Sequence, residues 1–267
     1  MNVSPHLQRV ATAVLLILVL GGAIYLGHAG IAILVVLVSL LGLWEFYSLF
    51  WSGKERLLLK TLGCLAGSLF LLDYSLEITG HPLLFLVLIF WVAWLGFLME
   101  FSRQKDQAGL NDYMVLISGI AYVPLVMSLF FTLEAPEIIL VLAATAASDA
   151  GAFYSGYLWG NRKIWPDVSP KKTWMGSLGG LILCTAVTLG LGLLLGSALW
   201  WQLVILGIIL NVSAQLGDFF QSSLKRWCRV KDTGHILPGH GGVLDRIDSL
   251  LLLLPAYVVV SIFVNIL

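Results

Sequence analysis

Charged side chains are scarce in this sequence. Its 267 residues include 15 Lys and Arg and 15 Asp and Glu, so charged residues make up 11% of the chain and the formal net charge is zero. Soluble domains carry about 25% charged residues, so the composition excludes an ordinary soluble protein. A chain without excess positive charge also gives no reason to expect a nucleic-acid partner.

Cysteine is scarce as well. Cys64, Cys184 and Cys228 lie far apart and form no C-x-x-C pair. This spacing argues against a disulfide framework and against a cysteine zinc site, and we expect the three thiols to be packing residues. The sequence also lacks low-complexity tracts and internal repeats.

Apolar residues dominate what is present, at 59% of the chain with a mean hydropathy of +0.95. Nine apolar runs are each near the roughly 20 residues that a helix needs to cross a bilayer. The runs are 10–27, 30–50, 57–76, 82–101, 113–133, 136–159, 176–199, 200–224 and 249–267. The sequence therefore predicts an all-α, polytopic membrane protein with about nine transmembrane helices. The first run is interpreted as an anchor, because its apolar part is long and the small residues after it make a poor cleavage site.

The basic residues predict the orientation of these spans. If nine spans alternate, all fifteen Lys and Arg residues fall on one side of the membrane, while the opposite loops carry acids such as Asp73 and Glu134. The positive-inside rule makes the basic side cytoplasmic. The chain is thus predicted to be a multi-pass protein of the cell (inner) membrane, with its N-terminus inside, its C-terminus outside and an active site facing the cytoplasm.

The candidate chemistry is concentrated in the second half of the chain. We therefore divide the chain into a scaffold of N-terminal helices that could supply dimer contacts, 1–133, and a catalytic region with cytoplasmic loops, 134–267. In the scaffold, Glu45 lies among aromatic residues late in the second run and is interpreted as a carboxylate that reaches the headgroups. Glu100 and Arg103, at the end of the fourth run, are interpreted as a candidate ion pair.

An acid interrupts the sixth apolar run. Asp149 is costly inside a membrane helix, and two interpretations stay open: a hydrogen bond between helices, or a functional acid that lines a site. The small residues that follow it would permit close helix packing or leave room for a ligand. These residues are Ala150, Gly151, Ser155 and Gly156.

The next loop contains the segment Ser-Pro-Lys-Lys-Thr at 169–173. Ser169 is predicted to cap a helix whose first residue is Pro170. Such a start would present free N–H groups, together with Lys171 and Lys172, to a phosphate. An equally open interpretation is that the two lysines only follow the topology rule or touch anionic headgroups.

The stretch 217–250 holds several polar clusters. Asp218, then Gln221 or Ser222, and then Lys225 fall at helical spacings along one stripe, which would aim an acid and a base at the same cytoplasmic pocket. Asp245 and Asp248 stand three residues apart where the last apolar run begins, a spacing suited to a hard cation.

A Pro-Gly-His-Gly-Gly turn at 238–242 lies between these acids. Gly241 and Gly242 would allow backbone N–H groups to approach an anionic ligand closely, and His240 would either bind phosphate or cap the turn. The remaining charged residues of this region include Arg226, Lys231, Asp232 and Arg246. Acids for a metal, cations for phosphate and a glycine hinge together predict a site for phosphate chemistry.

At this point the sequence resembles the phosphatidate cytidylyltransferases, the CDP-diacylglycerol synthases. The motifs that carry the resemblance are S-x-x-K-R at 222–226, K-D at 231–232, P-G-H-G-G at 238–242, L-D-R at 244–246 followed by Asp248, and S-P-K-K-T-W at 169–174 with the Asp149 region. The first half matches mainly in its run of apolar spans. Two positions depart from the family pattern, because Met175 and Gln221 stand where Glu is usual, and both remove negative charge.

The resemblance implies a multi-pass membrane enzyme that joins CTP and phosphatidate into CDP-diacylglycerol and releases pyrophosphate. It also implies a homodimer, a requirement for Mg²⁺, metal binding by Asp218 and Asp245, and a monovalent cation such as K⁺ beside the Mg²⁺.

The chemistry can also be argued from the residues. A phosphate monoester is largely ionised near neutral pH, so the barrier lies in bringing two polyanions together in line. We therefore predict that Mg²⁺ is held by Asp218 and Asp245 with Asp248 nearby. The cations expected to neutralise the phosphates are Lys171, Lys172, Lys225, Arg226 and Arg246. Three alternatives remain open: a divergent paralogue that uses another lipid, a CTP-dependent lipid-alcohol kinase, and a transporter of an anionic lipid or metabolite.

Overall fold

A computed structural model describes residues 5–51, 53, 56–105, 108–234 and 241–267, with side chains from residue 14 onward except at residue 16. In these ranges the regular structure is helical, with an isolated antiparallel bridge between Lys163 and Thr173. The helices are α1 (Pro5–Tyr25), α2 (His28–Phe50), α3 (Leu57–Leu76), α4 (Pro82–Gln104), α5 (Leu110–Tyr122), α6 (Pro124–Met127), α7 (Ala135–Trp159), α8 (Trp174–Leu195), α9 (Trp200–Trp227) and α10 (Leu244–Phe263). The prediction of an all-α protein is confirmed.

Eight helical segments among the described residues are long and apolar enough to cross a membrane, which confirms a multi-pass membrane protein. The predicted first span falls on α1, of which several side chains lie outside the described residues. The predicted fifth span is a broken helix, because α5 ends before Pro124 and a 3₁₀ turn, Ser128–Thr132, completes it. Proline lacks the N–H that a continuous helix would need at this point.

The chain forms two compact units. Unit 1 comprises residues 1–132 and 232–245, and unit 2 comprises residues 133–231 and 246–267. In unit 1, α2 packs on α1, α3 and α5. Its core includes Tyr47, which is fully buried and donates a hydrogen bond from its hydroxyl to the carbonyl oxygen of Leu116 at 2.8 Å.

Unit 2 is built on the tight packing of α7 against α8. A Cβ added to Gly151 would lie 2.5 Å from the carbonyl oxygen of Gly179, so only glycine permits this approach of the two backbones. Helix α9 packs on α8 and α7, and Asn211 of α9 accepts a hydrogen bond from Ser148 of α7 at 2.9 Å. The small residues after Asp149 therefore serve close helix packing, one of the two uses that the sequence left open.

The three cysteines are free thiols. Cys64 and Cys184 are buried and Cys228 is half-buried, in keeping with the packing role that their spacing predicts.

Candidate functional site

Glu45 of α2 is the most deeply buried acid in the described part of unit 1. Its side chain is 2% exposed. Its Oε2 accepts hydrogen bonds from the backbone N–H of Leu244 at 2.8 Å and from the Thr233 hydroxyl at 3.3 Å. The interpretation of Glu45 as a headgroup-facing carboxylate is therefore wrong, because its acceptor oxygen is needed inside the unit to bind a distant backbone segment.

Two glycines make room for this carboxylate. A Cβ added to Gly242 would lie 2.5 Å from the Glu45 Oε2, and one added to Gly234 would also collide with the Glu45 carboxylate. Gly241 adopts a φ of +80°, a conformation that favours glycine. The glycines of this segment thus fit its path around Glu45, whether or not they also approach a ligand.

Asp245 also binds the backbone next to Glu45, at Thr233 and Gly242. It lies in the first turn of α10, and its Oδ2 accepts hydrogen bonds from the backbone N–H groups of Thr233 at 3.0 Å and Gly242 at 3.2 Å. An acid in the first turn also stabilises the positive end of a helix. Glu45 and Asp245 together fold residues 232–234 and 241–245 against α2. The predicted role of Asp245 as a metal ligand stays a prediction.

Three carboxylates from three helices form the acid cluster of unit 2: Asp149 of α7, Asp218 of α9 and Asp248 of α10. Asp248 interacts electrostatically with both of the other acids, and Asp149 with Asp218. Ser249 joins two of them, because its hydroxyl donates to the Asp149 Oδ1 at 3.3 Å and its backbone N–H to the Asp248 Oδ1 at 2.8 Å. Asp149 therefore makes a hydrogen bond between helices and also belongs to a charged group.

Lys172 forms an ion pair with one acid of this cluster. Its Nζ lies 2.5 Å from the Asp218 Oδ2 and 4.2 Å from the centre of the Phe219 ring. The Ser222 hydroxyl donates to the Asp218 Oδ1 at 3.2 Å, as expected for residues four apart on one helix face. Trp165 also packs against Phe219, with ring centres 6.1 Å apart. Lysine, acid and two aromatic rings therefore fix the loop 160–173 to α9.

The predicted helix start at Ser169 is wrong. Helix α8 begins at Trp174 with Thr173 as its N-cap, and the Thr173 hydroxyl accepts from the Gly176 N–H at 3.1 Å. Ser169 lies in a turn, where its N–H donates to the carbonyl oxygen of Trp165 and its own carbonyl accepts from Lys172. The residues before Thr173 pair with 162–164 instead of continuing the helix, so the lysines lie on the loop ahead of the helix.

The other predicted residues have varied surroundings. Lys225 is half-buried and interacts electrostatically with Asp248, and Arg246 is exposed and interacts with Asp149. The remaining predicted cations and the acid Asp232 are exposed; they are Lys171, Arg226, Lys231 and Asp232. His240 lies outside the described residues, as do the positions from 235 to 239.

The two departures from the family pattern differ in their surroundings. Met175 is 42% exposed at the start of α8, whereas Gln221 is fully buried in α9. A glutamate at position 221 would place a further buried charge one turn from Asp218, which is costly without a counter-charge. Gln221 therefore reduces the negative charge of α9 at a buried position.

The acid cluster has the donor chemistry that a hard cation needs. Mg²⁺ binds oxygen ligands and usually takes one or two carboxylates, completed by waters and substrate phosphates. Within the described residues, no three His, Cys, Asp or Glu side chains come close enough to hold an ion by themselves. The open arrangement of Asp149, Asp218 and Asp248 fits Mg²⁺ shared with a phosphate ligand better than a closed protein site.

Sequence reasoning missed Glu45 and Thr233. A signal for Glu45 was present, since an acid inside an apolar run is costly wherever it lies and the same argument singled out Asp149. Thr233 carried no such signal. It donates one backbone N–H and one hydroxyl hydrogen bond, and an uncharged residue in a loop does not stand out in the sequence.

The comparisons with known proteins match this region and much of the rest of the chain. The model of the cytidylyltransferase family matches residues 7–265. Curated relatives named phosphatidate cytidylyltransferase occur in Staphylococcus haemolyticus, 37% identical over 156 residues, and in Staphylococcus saprophyticus, 38% identical over 156 residues. In both cases the match covers 57% of this chain and 60% of the relative.

A relative of the same name from Bacillus subtilis is 40% identical over 119 residues, which is 44% of each chain. The aligned part thus spans less than two thirds of the length of these curated relatives. The family model extends over nearly every helix described above, including those that carry the acid cluster and Glu45. This chain, with carboxylates set within its membrane-spanning helices, is a member of the cytidylyltransferase family.

Proposed function

We propose that this chain transfers CMP from CTP to phosphatidate, giving CDP-diacylglycerol and pyrophosphate. The observation that carries the proposal is the meeting of Asp149, Asp218, Asp248 and Lys172 in unit 2 of a chain that matches the family over residues 7–265. Relatives that share 35–40% of the aligned residues bear the name phosphatidate cytidylyltransferase, which supports this choice of substrates.

The reaction needs charge neutralisation more than it needs a base. An oxygen of the ionised lipid phosphate attacks the α-phosphorus of CTP, the bond from that phosphorus to the bridging oxygen breaks, and pyrophosphate leaves with the bonding electrons. Both reactants are polyanions, so cations that orient them in line lower the barrier. Lys172, held by Asp218 and by the Phe219 ring, is positioned for this task.

The proposed metal ligands are Asp218 and Asp248 of the acid cluster, with K⁺ as a further cation, and the role of Asp245 as a metal ligand stays a prediction. Bound Mg²⁺ would neutralise the phosphates of the nucleotide. Around it, Lys171, Lys225, Arg226 and Arg246 are proposed to contact phosphates, and Ser169 and Lys231 to contribute to substrate binding.

The proposed setting is the cell (inner) membrane, with the basic loops in the cytoplasm. Basic residues follow α2, α4, α7 and α9 along the chain and acids occur in the loops between, which supports this orientation through the positive-inside rule. The N-terminus would then lie inside and the C-terminus outside. A homodimer is part of the proposal.

Product analysis tests the proposal. Purified protein in detergent, given CTP, Mg²⁺ and phosphatidate, should release pyrophosphate and form CDP-diacylglycerol in equal amounts, as measured by coupled pyrophosphate detection and lipid mass spectrometry. Formation of CDP with a phosphorylated lipid alcohol would show a kinase instead. Absence of product with every lipid phosphate and nucleotide tried would contradict the transferase, and uptake of an anionic lipid by sealed vesicles without nucleotide would support a transporter.

A further inference from the structure

Unit 1 contains a cavity of about 740 Å³ between α3, α4 and α5. The α4 wall runs from Phe85 to Gln104 and the α3 wall from Leu58 to Leu69. The lining residues of α4 recur every three or four positions, so one face of this helix lines the cavity along nearly its whole length. We call this cavity the α3–α4 groove; no member of the acid cluster lines it.

The groove is apolar along its length and polar at one end. Its polar lining residues are Arg56, Glu100, Arg103, Gln104 and Tyr113, all at the start of α3, the end of α4 or the start of α5. The rest of the lining is made of aliphatic side chains, Phe85, Met99 and Gly96. A cavity with this polarity matches an amphiphile that has a polar head and an aliphatic tail.

The polar end presents an available cation. Arg56 is engaged by two acids, Glu100 at 3.3 Å and Asp112 at 2.7 Å. The predicted pair between Glu100 and Arg103 is therefore wrong, since Glu100 binds Arg56 instead. Arg103 is exposed and forms no ion pair within the described residues, whereas Glu100 and Asp112 both pair with Arg56.

The length of the groove suits a lipid chain. The part with walls on both sides, Leu58 to Leu69, is about 16 Å long, close to half of the ~30 Å hydrocarbon thickness of a bilayer. Its lining also includes small residues, Ala66, Ala93 and Gly96.

We propose that the α3–α4 groove binds one molecule of an anionic glycerophospholipid from the leaflet at its polar end. The phosphate lies against Arg103, and an acyl chain lies between α3 and α4. This lipid is a resident ligand of unit 1 and is not consumed in the proposed transfer reaction, so the site is additional to the substrate site.

Native mass spectrometry tests this proposal with dioleoylphosphatidylglycerol as the probe, which is neither the proposed substrate nor its product. Protein released from detergent with equimolar phosphatidylglycerol and phosphatidylcholine should retain one phosphatidylglycerol. Arg103→Gln should weaken retention about tenfold, which corresponds to ~1.4 kcal/mol, and Lys105→Gln, an exposed lysine outside the lining, should not.

A second pair of variants tests the position of the chain. Ala66→Phe fills the groove and should abolish retention, whereas Leu65→Phe, on an exposed neighbouring position outside the lining, should keep it. Equal retention of both lipids, wild-type retention in Ala66→Phe, or a dimer mass without bound lipid would each overturn the proposal. Asp218→Asn should retain the lipid like wild type, so loss of transfer activity and loss of this site are distinguishable.

Discussion

Glu45 of unit 1 and Asp218 of unit 2 are both carboxylates inside apolar helices, but their partners differ. Glu45 is 2% exposed and receives hydrogen bonds from a backbone N–H and a threonine hydroxyl. Asp218 is half-exposed, pairs with Lys172 and interacts electrostatically with two other acids.

The difference separates two uses of a costly acid. A buried carboxylate that accepts hydrogen bonds from a backbone N–H and a hydroxyl stabilises one chain path, because those donors lose their acceptor on another path. An acid that lies among other charged groups interacts with several of them at once. A charged ligand can therefore replace one of these groups as its partner. Unit 1 therefore uses its acid to hold a segment, and unit 2 concentrates acids where phosphate ligands are proposed to bind.

The largest effect is expected from Asp218→Asn. Removing this charge should lower the rate of pyrophosphate release at least ~100-fold, the usual cost of losing one preorganised electrostatic group, while the unfolding temperature changes little. Asp167→Asn, at an exposed acid in the loop before α8, is the control and should keep wild-type activity. Equal activity in both variants would remove Asp218 from the reaction.

Glu45→Ala should act on stability first. It leaves the Leu244 N–H and the Thr233 hydroxyl without their acceptor, at a cost of about 1–3 kcal/mol for each buried group, so the unfolding temperature in detergent should fall. Glu45→Gln keeps an acceptor oxygen, so its unfolding temperature should fall less. Glu77→Ala removes an exposed acid and should leave the unfolding temperature unchanged. A stable Glu45→Ala with normal transfer activity would show that the segment folds without this carboxylate.

Lys172→Met should reduce activity by about tenfold at subsaturating CTP, the order of effect of one charge-assisted contact of ~1.4 kcal/mol. The neighbouring Lys171→Met provides a matched comparison, because Lys171 is exposed and Lys172 touches both Asp218 and Phe219. Steady-state kinetics with varied CTP would measure the activity of both variants. A greater loss in Lys171→Met would mean that the ion pair of Lys172 serves the loop and not the substrate.

Ser249→Ala should have the smallest effect. The hydroxyl donates one hydrogen bond, 3.3 Å long, to Asp149, and its loss should cost about 0.5–1.5 kcal/mol and change activity by less than ~10-fold. The backbone N–H that binds Asp248 remains in this variant. Assays of Ser249→Ala and Asp218→Asn side by side would compare their losses of activity. A loss in Ser249→Ala as large as that in Asp218→Asn would assign the Ser249 hydroxyl a direct role.

Several features of the molecule were readable from the residues. Long apolar runs predicted α3 at its observed bounds and most other helix ends within a few residues, because a membrane span must satisfy its backbone hydrogen bonds internally. The spacing along one helix placed Gln221 or Ser222 beside Asp218, and Ser222 is the one that donates a hydrogen bond to it. The start of α8 was predicted wrongly, because Pro170 is also compatible with a turn and the pairing of 162–164 with 172–174 joins separate parts of a loop.

The sequence by itself determined that this chain is made of membrane-spanning helices and that acids interrupt some of them, because apolar length and charge placement are local properties. Only the tertiary structure decided which acids meet. Asp149 and Asp248 are brought together through Ser249 across 100 positions of sequence, and Glu45 binds a segment about 190 residues away. Such partners depend on how helices pack against one another, and a buried carboxylate alone does not specify which distant donor will satisfy it.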